Sequence, residues 1–392
     1  MTGAPNGIDR EAVYRRLDAM FDRNRLTNNG PLVREFEEAI ASIVGVDHVV
    51  AVSNGTLALL VGAVGLGATG DVIVPSWTFA GTVQPLVWAG LRPRFVDVDP
   101  LTHSLDPASV RAALSQRGAD TAEVGLVVPV HLWGRPCDVE AIDRAASEAG
   151  VPVLYDAAHA FGATHSGTPV GNFGQAEIFS FHATKWMSSI EGGAITTNDA
   201  ALADHCRRLR NFGFAGEGDI PVSGINAKMS EMHAAVGLTQ LERFDTIRAA
   251  NRERYEAYAA AFDSASSTRP SVRLAPVTNA GSSPHGYVVV EILADHPEPA
   301  RALQSLLDAE NVRTRRYFAP GVHRLGAFDS TDTGPLPVTE TLAQRCLSLP
   351  TGEAITTEDA VTIAGLVLRG IERITDDTPI HIDATPAVGS IA

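Results

Sequence analysis

Of the 31 basic residues in this 392-residue chain, two are lysines, Lys185 and Lys228, and the rest are arginines. A chain that uses arginine wherever a positive charge suffices keeps lysine where a guanidinium fails. A primary amine can lose its proton and form a Schiff base, and a guanidinium does neither. Lys185 closes the run Ser180-Phe-His-Ala-Thr-Lys185, and Glu191-Gly-Gly-Ala follows it. Glycines 192 and 193 suit a close backbone approach to a ligand or to the lysine loop. Taken singly, Lys185 also suits a surface position.

Asp156 ends the apolar run Val153-Leu-Tyr-Asp. A carboxylate at the end of a buried strand is costly without a cationic partner, and no arginine lies nearby in sequence, which points to a ligand cation. His159 follows; its plain reading is a core histidine bonded to backbone, with metal binding the weaker alternative because His159 and His165 lack helical ligand spacing. Ser53-Asn54-Gly55-Thr56 follows a strand and opens a helix, where free amides and the helix dipole favour a phosphate; by itself it is an ordinary cap. Gly65-Leu-Gly-Ala-Thr-Gly70 matches a dinucleotide fingerprint, but it follows a helix and precedes a strand, so it reads as a helix stop and turn. Together, a phosphate cup, a strand-end acid and a lysine with a nearby serine form the set that pyridoxal 5′-phosphate requires. The lysine makes the Schiff base, the acid keeps the pyridine nitrogen protonated, and amides with hydroxyls hold the phosphate.

The elements that must position these residues are legible as an alternation. Strands are predicted at His48–Val52, Val72–Val74, Arg94–Val98, Gly125–Val130, Val153–Tyr155, Ile178–Phe181 and Ala194–Thr197. Helices are predicted at Thr56–Val64, Thr82–Ala89, Pro107–Leu114 and Val139–Glu148, with two more at the front, Arg10–Phe21 and Leu32–Val44. The pattern predicts an α/β fold: a mostly parallel seven-stranded sheet covered on both faces, with its ligand at the carboxyl strand ends. One long helix is expected over Ser230–Phe262, leading out of a large domain (1–250) into a smaller C-terminal α+β domain (251–392). The latter is predicted to have strands at Tyr287–Leu293 and Val312–Tyr317, helices at Glu298–Glu310 and Thr357–Ile371, and a loosely held tail from Asp376.

Composition narrows the classes. The net charge of −15 argues against a nucleic-acid-coating protein. Three cysteines without a CxxC pair suggest a reducing, cytoplasmic setting. Met1–Val13 lacks the apolar core of a signal peptide, and Leu57–Leu66 is too short to span a bilayer, so no membrane role is expected.

On these motifs the chain resembles the DegT-type sugar-nucleotide aminotransferases, fold-type I pyridoxal-phosphate enzymes with an aspartate-aminotransferase-like large domain. The resemblance runs from Leu26-Thr-Asn-Asn-Gly-Pro31 to Tyr317-Phe-Ala-Pro-Gly-Val-His323. It is carried by Pro75-Ser-Trp-Thr-Phe79, Asp156-Ala-Ala-His159, the Lys185 run, Glu191-Gly-Gly193, and Gly224-Ile-Asn226 with Lys228-Met-Ser-Glu231. It implies Lys185 as the Schiff-base lysine, Asp156 as the pyridinium partner, Phe79 as the ring-stacking aromatic and His159 near the ring hydroxyl. It implies Gly55, Thr56 and Ser180 as phosphate contacts, and Asn226 as a phosphate contact from a neighbouring subunit, hence a homodimer with shared sites. It places Asn29, Lys228, Arg313, Arg316, Tyr317 and His323 around the sugar nucleotide, where arginine forks suit a diphosphate. Taken singly, any of these arginines also suits a charged edge strand. Trp186, Met187 and histidine rather than glutamine at 159 depart from the family pattern and bear on the sugar pocket.

The implied reaction moves an amino group from L-glutamate to a nucleotide-linked keto-deoxysugar, with a dTDP-4-keto-6-deoxyhexose giving the 4-amino-4,6-dideoxy sugar. A nucleotide-sugar 3-aminotransferase and a non-catalytic regulator on the same fold are the alternatives. Lys185 argues against the sugar 3-dehydratase branch, in which histidine replaces the lysine. The arginine and alanine bias suggests a GC-rich genome and antibiotic-sugar biosynthesis as a setting.

Overall fold

The computed structural model describes residues 7–116, 123–265, 271–275, 282–328 and 333–375. The tail predicted to be loosely held, from Asp376, lies outside these. Helices α1 (Arg10–Asp22) and α2 (Pro31–Val44) lead into β1 (His48–Val52), α3 (Gly55–Gly65), β2 (Asp71–Pro75), α4 (Ala80–Trp88) and β3 (Arg92–Val96). The alternation continues through α5 (Pro107–Ser115), β4 (Val124–Val127), α6 (Val139–Ala149) and β5 (Leu154–Asp156). A small hairpin, β6 (Thr164–His165) and β7 (Thr168–Pro169), precedes β8 (Ala176–Ser180), β9 (Gly193–Thr197) and α7 (Ala200–Leu209). Helix starts follow local chemistry: Asn54, Asp106 and Asp138 accept from the backbone N–H groups of Leu57, Ser109 and Ala141 at 2.9, 2.9 and 3.1 Å. α3 stops at Gly65, Gly67 and Gly70 take φ of +66° and +80°, and β2 starts at Asp71, so the glycine run is a helix stop and turn.

β2 pairs in parallel with β3 and β4, and β5 pairs in parallel with β8. Two parallel bridges, Val127 to Val153 and Val130 to Asp156, join these ladders. β9 runs against both neighbours, β8 and β1, which gives the spatial order β3-β2-β4-β5-β8-β9-β1. Side chains alternate between two cores: Val50, Val52, Ile178 and Ile195 face one, and Val49, Ala51, Phe179 and Ala194 the other. Helices cover both faces, and the carboxyl ends of β1, β5 and β8 emerge along one edge.

The helical run predicted over Ser230–Phe262 is two helices, α8 (Glu231–Leu241) and α9 (Phe244–Ala265). The break lets Phe244 leave the α8 direction and pack edge-on against Phe161 and at a tilt against Trp186, at centroid distances of 5.7 and 5.3 Å. Beyond it come β10 (Val272–Ala275), β11 (Val288–Ile292), α10 (Pro299–Ala309), α11 (Pro337–Arg345), β12 (Cys346–Leu349) and α12 (Thr357–Thr375). The strand predicted at Val312–Tyr317 is reduced to one antiparallel bridge, Arg315 to Ser348, because the chain turns away through Phe318 at φ +67°. β10, β11 and β12 form an antiparallel sheet with β11 in the middle. One face packs Val288, Val290 and Ile292 with Tyr258, Leu303 and Val367. The opposite face presses Tyr287 and Val289 onto Trp77, Trp133 and Val130, beside the strand ends.

Candidate active site

Three strand ends build the site. At β1 the chain turns into α3, where the first amides, those of Gly55 and Thr56, have no carbonyl one turn behind them. Asn54 occupies the Leu57 amide, so the open amides sit at the tip of the helix, where the dipole favours an anion. Ser180, at the end of β8, lies against this tip: a Cβ placed on Gly55 would sit 2.8 Å from the Ser180 Cβ. Gly193 is pressed equally close, since a Cβ there would lie 2.6 Å from the Asn54 carbonyl carbon. The close backbone approach expected of the Glu191-Gly-Gly run is thus onto the cup itself.

At the end of β5, Asp156 is buried at 4% exposure. Its Oδ2 accepts from the Thr82 hydroxyl at 2.7 Å and its Oδ1 from the Ala158 amide at 3.0 Å. Burial pushes its carboxyl above the usual range, while the Thr82 and Ala158 hydrogen bonds and the nearby Lys185 charge pull it back. Lys185 follows the turn after β8, with its amide donating to the His182 carbonyl at 2.9 Å. Its Nζ reaches the Tyr287 hydroxyl at 3.4 Å. Burial lowers the amine to about 8, opposed by the Asp156 charge. His159 lies under Trp133, ring planes 20° apart at 5.6 Å, and against Tyr287 at 4.4 Å. Burial holds it well below the usual histidine range, and its buried Nδ1 has no hydrogen-bond partner.

These features fit one group. An amide-and-hydroxyl cup suits a phosphate. A buried carboxylate whose oxygens take only neutral donors suits a protonated ring nitrogen. A lysine amine near neutrality suits an aldehyde, and an unpaired imidazole nitrogen suits a ring hydroxyl. Pyridoxal phosphate carries all four partners. Among the described residues, no cluster of three or more histidine, cysteine or acidic side chains is arranged to hold a metal, and no helix is long and apolar enough to cross a membrane.

A family model for the DegT/DnrJ/EryC1/StrS aminotransferases matches residues 8–368. The chain belongs to that family. Its activity class is that of the pyridoxal-phosphate-dependent transaminases, and its fold is the mixed α/β fold-type I architecture. The chain is 33% identical over 326 residues to the dTDP-4-amino-4,6-dideoxy-D-glucose transaminase of Shigella dysenteriae, covering 83% of this chain and 86% of that one. It is 33% identical over 364 residues to the GDP-perosamine synthase of Caulobacter vibrioides, covering 90% and 93%. Among solved structures, DesI, crystallised in the presence of its TDP-sugar product, superposes with a TM-score of 0.88 at 45% identity, over 96% of this chain and 94% of that one.

Around this candidate site the other expected residues are spread. Phe79, 63% exposed, stands at the start of α4; its ring and the Thr56 hydroxyl both border Gly81, which brings it to the cup. Tyr317 and Arg316 line a cleft of about 440 Å³ together with Thr78, Phe79 and Arg315. Arg313 is exposed and offsets the charge of Asp308. His323 is buried beneath that cleft, with its Nδ1 against the Ser76 hydroxyl and its Nε2 3.6 Å from Glu340. Asn29 and Lys228 share a separate cavity of about 160 Å³ with Arg207 and Arg210. There the Arg210 guanidinium donates to Asn29 Oδ1 at 3.1 Å, and Lys228 Nζ lies 4.5 Å above the Phe212 ring. Asn226 is exposed and bridges to Asn211 on the same loop. Sequence reasoning missed Tyr287 and Thr82. Nothing around Tyr287 signals a site, whereas the four-residue spacing of Thr78 and Thr82 across a helix start was a readable signal.

Proposed function

We propose that this chain is a homodimeric, pyridoxal-phosphate-dependent aminotransferase that carries an amino group from L-glutamate to C4 of a dTDP-4-keto-6-deoxyhexose. The observation that carries this reading is the convergence of Lys185, Asp156 and the Gly55–Thr56–Ser180 cup along the edge where β1, β5 and β8 end. The choice of acceptor rests on the similarity to DesI and to the Shigella transaminase. When bound, pyridoxal phosphate supplies an aldehyde that couples to amines and a ring that accepts an electron pair. The open amides of Gly55 and Thr56 with the Ser180 hydroxyl anchor the phosphate, and Phe79 covers a ring face. Asp156 holds the proton on the ring nitrogen. His159, kept neutral by burial, offers its unpaired nitrogen to the ring hydroxyl. Lys185 Nζ would hold the group through its aldehyde and, as a free amine, would stand beside the reacting carbon. It takes the α-proton and returns it one atom along.

In the cofactor-free protein the Lys185 amine is increasingly protonated below about pH 8 and cannot then add to an aldehyde, so capture of added pyridoxal phosphate, followed by absorbance, should quicken as pH rises through about 8. The deciding experiment supplies glutamate and a panel of nucleotide keto-sugars, varied in nucleotide and keto position, with products read by mass. A 4-amino-4,6-dideoxy dTDP-sugar is expected. Turnover confined to 3-keto sugars would overturn the choice of carbon, and no amine transfer to any keto-sugar would overturn the reading.

A further inference from the structure

The Asp156 carboxylate is held from two directions. The Ala158 amide fixes Oδ1 from the chain just beyond β5, and the Thr82 hydroxyl fixes Oδ2 from α4. Thr82 and Thr78 are each 2% exposed, and their hydroxyl oxygens lie 2.8 Å apart. Proton counting sets the direction of this chain. An ionised carboxylate only accepts, so the single Thr82 proton goes to Asp156, and the Thr82 oxygen accepts from Thr78. Protonating Asp156 removes that constraint, because a neutral carboxyl can either accept from Thr82 or donate to it. The hydroxyl pair is therefore held to a single direction only by a charged carboxylate. Other groups facing Asp156 act differently. Lys185 and His131 favour its charge from a distance, while burial above all, with a lesser push from the Asp156 charge, keeps Tyr287 a neutral phenol.

We propose that Thr82 is a positioning residue: its hydroxyl, oriented by Thr78, holds Asp156 as a fixed anion facing the ring nitrogen. The inference rests on the reading of Asp156 given above. It requires no group transfer by Thr82, which acts only through the carboxylate. The side chain belongs to the helix that also carries Phe79 at its cap, so one element would both cover the ring and aim the acid at its nitrogen.

The test compares the parent with Thr82→Val, which keeps the shape and loses the hydroxyl, and Thr82→Ser, which keeps the hydroxyl and loses the methyl. In the cofactor-free protein, infrared difference spectra against Asp156→Asn isolate the Asp156 carboxyl, and its protonation should move to higher pH in Thr82→Val. In the protein loaded with pyridoxal phosphate, single-turnover reaction with glutamate should slow ~10-fold or more, the usual consequence of losing a hydrogen bond to a charged group. Thr82→Ser should recover most of both losses. Parent-like titration and turnover in Thr82→Val would overturn the inference, and so would a Thr82→Ser that behaves like Thr82→Val, because packing would then be the cause. Should Thr82→Val fail to fold, Thr82→Ala removes the hydroxyl without a branched methyl in its place and is read against Thr82→Ser in the same way. A parent that fails to bind pyridoxal phosphate would instead sink the functional reading, and the cofactor-free titration separates that failure from this one.

Discussion

Asp156 is the residue at which the chemistry and the bland alternative part most clearly. As the partner of a ring nitrogen it must be negative, because a neutral amide cannot hold the nitrogen protonated, and the ring then drains less charge from the substrate carbon. As a structural cap it needs only to accept hydrogen bonds from Thr82 and Ala158, which the isosteric asparagine does in part. Asp156→Asn should therefore slow the glutamate half-reaction by at least ~100-fold, measured by stopped flow, while the affinity for pyridoxal phosphate falls less. Near-native rates would make it a cap. Asp156 and Ser180 at strand ends, and Gly55 and Lys185 a few residues beyond them, were legible in the sequence because a buried acid and one of two lysines each need a reason there. Tyr287 was not legible. It reaches Lys185 from just before β11, more than a hundred residues away, and the plain apolar run that follows it in sequence gives no hint of that contact.

At the scale of elements, the alternation of short strands and helices read true because apolar runs and capping residues coincide there, as at Asn54, Asp106 and Asp138. The misreadings lie where tertiary contacts overrule a local pattern. The α8–α9 break is set by Phe244 seeking Phe161 and Trp186, and the stretch 312–317 meets β12 at one residue before turning away. β9 carries a sharper test. It lies antiparallel between β1 and β8, and its first residue, Gly193, pairs with both Val52 and Ser180. A methyl at Gly193 would fall 2.6 Å from the Asn54 backbone and 2.8 Å from the Gly55 nitrogen. Gly193 is fixed in two strand ladders and the backbone it would strike opens α3, so neither side has much room to give. Gly193→Ala should cost about 1–3 kcal/mol of stability, lower the melting temperature and weaken retention of pyridoxal phosphate by displacing the cup. Unchanged melting and cofactor affinity would show that the cup is looser than its packing implies.

For the whole molecule, the open question is whether one chain completes a site. The loop after α7 exposes Phe212, Phe214 and Ile220 at 46%, 41% and 55%, close in sequence to Asn226, which is itself exposed. Large apolar side chains clustered on an exposed loop are the kind of surface a second subunit covers. If that partner receives Asn226 at its phosphate cup, each site draws Lys185 from one chain and Asn226 from the other. Lys185→Ala and Asn226→Asp chains should each be inactive, the first for want of an amine and the second because a carboxylate repels the phosphate. In a mixed dimer, one site then combines both lesions and the other has neither. Random exchange makes about half of the dimers mixed, so roughly a quarter of the parent activity should return, with intact sites only in mixed dimers. Sites built within one chain give a different result: every site in the mixture carries one lesion, and nothing returns. Exchange is checked by differently tagged chains co-purifying. Tagged heterodimers without activity would assign Asn226 to its own chain's site.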